Sequence, residues 1–101
     1  MTIYFLSFHC NPKDGTSDFY EFGGAYINCW IHAEDKDSAI NISKHKITEL
    51  DWNIIELEEC YIITEKDYLN SSNNSGLQYY RQALIDKWVI VMHTYPIEDE
   101  Q

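Results

Sequence analysis

The sequence predicts an α+β fold, a two-layer sandwich with two helices on one face of a mostly antiparallel four-stranded sheet. The expected order is β-β-α-β-α-β, a ferredoxin-like variant. Three observations predict it. Four segments rich in Ile, Val, Phe, Tyr and Trp are separated by polar clusters. Two intervening segments carry apolar residues at helical spacing behind Asp35 and Ser75, which are capping residues. The 101 residues are 45% hydrophobic, enough for one core, so residues 1–101 read as a single domain with an acidic tail at 97–101.

The first strand runs from Thr2 to Cys10. Ile3 and Phe5 line one face and Tyr4, Leu6 and Phe8 the other, and a strand apolar on both faces belongs in the middle of a sheet. Asn11 to Asp18 is a turn cluster broken by Pro12 and Gly15. The second strand spans about Phe19 to His32, and Gly23-Gly24 within it predicts a bulge or a close backbone approach. Asp35 caps a helix whose stripe is Ala39, Ile40, Ser43, Ile47 and Leu50, and Asp51 ends it.

Asn53 to Thr64 is the third strand. Strict alternation puts Ile55, Leu57, Tyr61 and Ile63 on one face and Glu56, Glu58, Cys60 and Ile62 on the other. Glu59 then falls on the apolar side, which requires an exposed strand end or a bulge. Glu65 to Leu69 makes one helical turn, and residues 70–76 a mobile polar loop. Ser75-Gly76-Leu77-Gln78 has the capping-box pattern before a second helix with Leu77, Tyr80, Ala83 and Leu84 inward. Trp88 to Tyr95 is the last strand, ended by Pro96, and residues 98–101 are a frayed tail. Asp51 and Lys87 stand at the helix exits in place of glycine, which argues against left-handed caps.

Seventeen acids against seven bases give a formal charge of −10. Such a body repels phosphate backbones and anionic membranes, which excludes nucleic acid and membrane as partners. No apolar run approaches the ~18 residues of a spanning helix. Met1 to Cys10 holds no Lys or Arg, unlike a secretory signal, so the expected location is the cytoplasm.

Three cysteines are an odd number, and no disulfide framework is expected. Cys29 and His32 are three apart on a strand and point to opposite faces, so they cannot share an ion. No metal ligand set, cofactor motif, nucleophile elbow or glycine-rich phosphate loop is present. Glu56 and Glu58, about 7 Å apart along one face, match a paired-acid spacing. Carboxylates there more simply guard a strand edge. These features point to a non-enzymatic protein.

Two helices cover one sheet face, yet Tyr26, Asn28, Trp30 and His32 stand opposite Ile27, Cys29 and Ile31 on the second strand. The aromatic face needs a cover: another protein, a second copy, the 10–18 loop with the tail, or a ligand. An RNA-stacking surface is excluded by the single arginine, Arg81. The acidity points to a basic protein partner steered by the long-range field. The candidate partner-binding residues are Glu56, Glu58, Glu59, Glu65, Asp67, Tyr26 and Trp30, with Glu34, Asp35 and Asp37 as further anions.

Gly23-Gly24-Ala25-Tyr26-Ile27-Asn28-Cys29-Trp30-Ile31, Trp52 and Tyr79-Tyr80-Arg81-Gln82-Ala83 resemble a family of short, uncharacterised bacterial proteins over about residues 1–97. In size, acidity and fold style the chain also resembles the small acidic immunity proteins that protect bacteria from their own toxins. That resemblance implies an acidic protein that occludes a basic toxin or nuclease, and it assigns no residue roles. The alternative is a homodimeric small-molecule-binding or regulatory domain that uses Tyr26, Trp30 and His32.

Overall fold

The computed structural model of the chain describes residues 2–69 and 75–97. The loop expected at 70–74 and the tail at 98–101 lie outside the described residues. The sheet is built on β1 (Thr2–Pro12), which pairs antiparallel with β2 (Phe22–Ala33) from Thr2↔Ala33 to Cys10↔Ala25. On its other side β1 pairs antiparallel with β3 (Trp52–Ile62), from Tyr4↔Ile62 to Pro12↔Trp52. Strand β4 (Trp88–Pro96) pairs antiparallel with β2, which gives the order β3-β1-β2-β4. The central place expected for β1 follows from its two apolar faces. Side chains directly opposite across a ladder share a face, so these registers sort the whole sheet.

One face carries Leu6, Phe8, Ile27 and Ile31, each fully buried. Helix α2 (Lys36–Glu49) packs there through Ala39, Ile40 and Ile47. Burying such a side chain is worth roughly 1.5–3 kcal/mol. The other face carries Ile3, Phe5, Trp30, Val89 and Val91, and it is met by helix α4 (Ser75–Asp86) through Tyr79, Tyr80 and Ala83. The helices therefore lie on opposite faces, and the expected two-layer arrangement with both helices on one side is corrected to three layers. The physical reason is the same two-sided apolarity that centres β1: each face demands its own cover.

Connectivity departs from the ferredoxin-like pattern as well. β2 and β3 both run antiparallel to β1, so they are parallel to each other and α2 crosses over β1 between them. β3 and β4 are the two edges, so the chain passes from one edge to the other by way of α4.

Two short helices complete the chain. Helix α1 (Ser17–Glu21) replaces the start expected for the second strand; Thr16 Oγ1 accepts from Phe19 N at 3.3 Å and caps it. Helix α3 (Lys66–Leu69) is the expected single turn. Helix α2 starts as expected, with Asp35 Oδ1 accepting from Ser38 N at 2.8 Å.

Strand β3 does not alternate. Register shifts fall between Ser7/Phe8 and His9/Cys10. Phe8 faces Leu57 while Ser7 faces Glu59, so Glu58 is an extra, bulged residue; Ile55 is another between Cys10↔Ile54 and His9↔Glu56. Trp52, Ile54, Leu57 and Cys60 consequently reach the α2 face, and Glu56, Glu59, Tyr61 and Ile63 the α4 face. This corrects the faces expected for Leu57 and Glu56.

The helix exits are left-handed after all, with φ of 63° at Asp51 and 76° at Lys87. Each turn aims a carbonyl at a neighbouring segment. Asp51 O accepts from Lys13 N at 3.0 Å and Lys87 O from His32 N at 2.9 Å. These bonds hold two non-glycine residues in a conformation that costs roughly 1–2 kcal/mol.

Candidate functional site

Helix α4 covers the end of its sheet face around Ile3, Trp30 and Val89. The other end is open, and the register places two transverse rows of side chains on it. One row is Glu59, Ser7, Asn28 and Val91; the next is Glu56, His9, Tyr26 and His93. Tyr26 is 44% exposed, and Glu56, Glu59 and His93 are exposed. Neither row contains a Lys or an Arg.

A ring cluster stiffens this surface. The Tyr95 hydroxyl and His9 Nε2 are hydrogen-bonded at 2.7 Å, although 86 positions separate them. The His9 ring stacks on Tyr26 with centroids 4.7 Å apart and planes 15° from parallel. Tyr95 lies 6.0 Å from Tyr26. Gly24, opposite Tyr95, makes the approach feasible. A Cβ at Gly24 would land on the Tyr95 hydroxyl and 2.8 Å from Cys10 O. The Gly23-Gly24 pair is thus both the irregularity of the β2–β4 ladder, shifted between Phe22 and Gly24, and a close approach.

The candidate residues divide into three groups. Glu56, Glu59 and Tyr26 come together on the open face. Glu58 is bulged out of β3, next to them but out of register. Trp30, Glu65, Asp67 and Asp35 are occupied elsewhere. Trp30 is 4% exposed and its Nε1 donates to the Tyr68 hydroxyl at 2.8 Å, so it belongs to the core under α3 and α4. Arg81 Nη2 donates to Glu65 Oε1 at 2.8 Å. Asp67 Oδ2 accepts from Thr64 N at 2.7 Å and closes the α3 turn. Asp35 is spent on capping α2. The bonds from Ser38 hold its carboxyl below the usual carboxylate range. His9 and Tyr95 were missed because β4's register cannot be read from sequence; the alternation of β1 does put His9 on the face of Ser7 and Phe5.

Ser7, His9 and Glu56 share the open face, but they form no proton-transfer chain. Ser7 and His9 are two residues apart on a strand, about 7 Å. Proton transfer needs roughly 2.6–3.2 Å. The expected pairing of Glu56 with Glu58 on one face is removed by the bulge. Cys29 sits at 0% exposure on the α2 face while His32 lies on the α4 face, so the two do not converge. Burial pushes the Cys29 thiol up to about 12, against a weaker opposing bond with Ser43, and the Cys10 thiol up to about 11. Thiols held so high are poor nucleophiles. Burial, with Lys87 nearby, lowers the His32 pKa, and His32 Nδ1 is buried without a hydrogen-bond partner among the described residues. On this surface, rings in fixed orientation stand beside carboxylates. Comparison of the chain with protein-family models, with curated proteins and with solved structures finds no match.

Proposed function

We propose that the chain is a non-enzymatic acidic binding protein that occludes a basic protein partner. Its concrete form is a bacterial immunity protein that acts in the cytoplasm by docking on a toxin such as a nuclease. The observation that carries this reading is the open half of the α4 face. Exposed Tyr26, the His9–Tyr95 pair, Glu56 and Glu59 lie together there with no Lys or Arg beside them among the described residues, on a body of charge −10. Rings held in place supply contact area at low entropic cost, and the acidic field steers a cationic partner and rejects anionic ones.

The test is capture from the native cell on immobilised wild-type protein and on the Glu56→Lys/Glu59→Lys double variant. A basic protein is expected on the wild type, lost on the variant, and released as salt shortens the screening length to roughly 3 Å at 1 M. An identical retained set on both, insensitive to salt, refutes the reading.

A further inference from the structure

We propose that the aromatic cavity between the sheet and helices α3 and α4 is a cation receptor that takes the head of an arginine side chain from the partner. This rests on the basic-partner reading above and narrows it to one side-chain chemistry.

The cavity measures about 360 Å³ and is walled by Phe5, Trp30, Tyr61, Tyr68 and Tyr79. The rings are held at different tilts. Phe5 meets Trp30 nearly edge-on, at 5.2 Å and 68°, and Tyr61 at 5.3 Å and 40°. Tyr79 lies 4.9 Å from Trp30 at 47°. The Trp30 indole is pinned by its bond to the Tyr68 hydroxyl. Gly76 leaves room for the Tyr68 ring, because a side chain there would run into it. Several electron-rich rings around one space are the setting in which a cation gains most from ring quadrupoles.

Charge completes the case. Among the described residues, no Lys or Arg lines the cavity, and Glu59 stands two residues from Tyr61 on the same face. Burial, then Glu59 and Asp67, push the Tyr61 phenol above its ordinary value. Burial also raises Tyr68 against the bond from Trp30, with Tyr61 and Asp67 adding to it. Burial disfavours a charge of either sign, whereas the share contributed by Glu59 and Asp67 favours a cation. The basic side chain on α4, Arg81, is already held by Glu65. The remaining polar lining, Asn28 and His93, offers hydrogen-bonding groups but no acid. A planar guanidinium stacks on rings and still spreads five donors towards Asn28 and Glu59, whereas an ammonium is a compact, strongly hydrated charge.

The test is titration of the ¹⁵N-labelled protein with N-acetyl-arginine methylamide and with its citrulline and lysine counterparts. The three tryptophans make the readout internal. Trp30 lies at the cavity, while Trp52 and Trp88 are on the α2 face. The Trp30 indole N–H resonance is expected to move and saturate, with the other two still, and arginine to bind roughly tenfold tighter than citrulline. Tyr61→Leu, at a 48% exposed position, should bring that ratio close to one, and Glu59→Gln should lower it about threefold. Equal binding of citrulline overturns the cation assignment. Equal binding of lysine overturns the choice of arginine. A basic partner that docks through Glu56 and leaves Trp30 unmoved refutes the cavity and spares the reading it rests on. An arginine that fills the cavity beside a salt-insensitive partner does the reverse.

Discussion

Gly24→Ala is a one-carbon change whose sign depends on a single feature. Gly24 has no positive φ, so its backbone is one that alanine adopts freely. In open space the substitution would stabilise by about 0.4–1 kcal/mol, because the unfolded chain has fewer states to lose. Here the added Cβ meets the Tyr95 hydroxyl on one side and Cys10 O, at 2.8 Å, on the other. The backbone oxygen belongs to a ladder residue of β1 and cannot swing aside, so the tyrosine must move. Overpacking of this kind costs roughly 1–3 kcal/mol. Moving the hydroxyl also breaks its bond to His9, worth about 1 kcal/mol. Less the unfolded-state gain, the expected net loss is about 1–3.5 kcal/mol, or a fall in melting temperature of roughly 5–20 °C for a domain of this size. Urea unfolding should show a lower midpoint with an unchanged slope, and the His9 and Tyr26 resonances should shift. In a Tyr95→Leu background the alanine should cost less than in the wild type, since one of its two obstacles is gone. A stabilised Gly24→Ala protein, or one whose cost adds fully to that of Tyr95→Leu, would refute the close approach.

Lys87→Gly should stabilise by about 0.5–1 kcal/mol in the same urea assay, because glycine relieves the left-handed strain at φ 76° and gives back part of the gain as unfolded-state entropy. Stability should also fall as pH rises above 9: the unfolded Cys29 thiol ionises near 9.0, whereas the folded one keeps its proton to about 12. The native state then binds more protons, at about 1.4 kcal/mol per pH unit, so roughly 3 kcal/mol is lost by pH 11; unfolding midpoints for Cys29→Ala should decline less steeply over that range.

The features legible in the sequence are those set by near neighbours. The two apolar faces of Ile3 to Phe8 centred β1, Asp35 announced the start of α2, and the paired glycines marked the tight spot in β2. What was not legible depends on partners remote in the chain. In β3, the bulges at Ile55 and Glu58 stretch the burial repeat from two residues towards three, and alternation cannot anticipate that. Helix α4 went to the wrong side because β1 and β2 offer each face an equally good apolar surface. Asp51 and Lys87 turn left-handed so that their carbonyls accept from the backbone N–H groups of Lys13 and His32, which no local pattern discloses. Of the candidate site, Glu56, Glu59 and Tyr26 were named from residue type and strand alternation. The His9–Tyr95 bond and the burial of Trp30 needed the β2–β4 register and the path of α4.

The two rims of the sheet are not alike. β3 is kinked twice and carries Glu56, Glu58 and Glu59, whereas β4 is regular between Trp88 and Tyr95 and bears no charge. Charge and irregularity are what keep a bare rim from recruiting foreign backbone. Among the described residues, β4 is thus the flank that lacks a guard against foreign backbone and β3 the one that has it. Two molecules joined flank to flank along β4 would show the world nothing but guarded flanks, so growth of the sheet would halt at a pair and never elongate into a fibre.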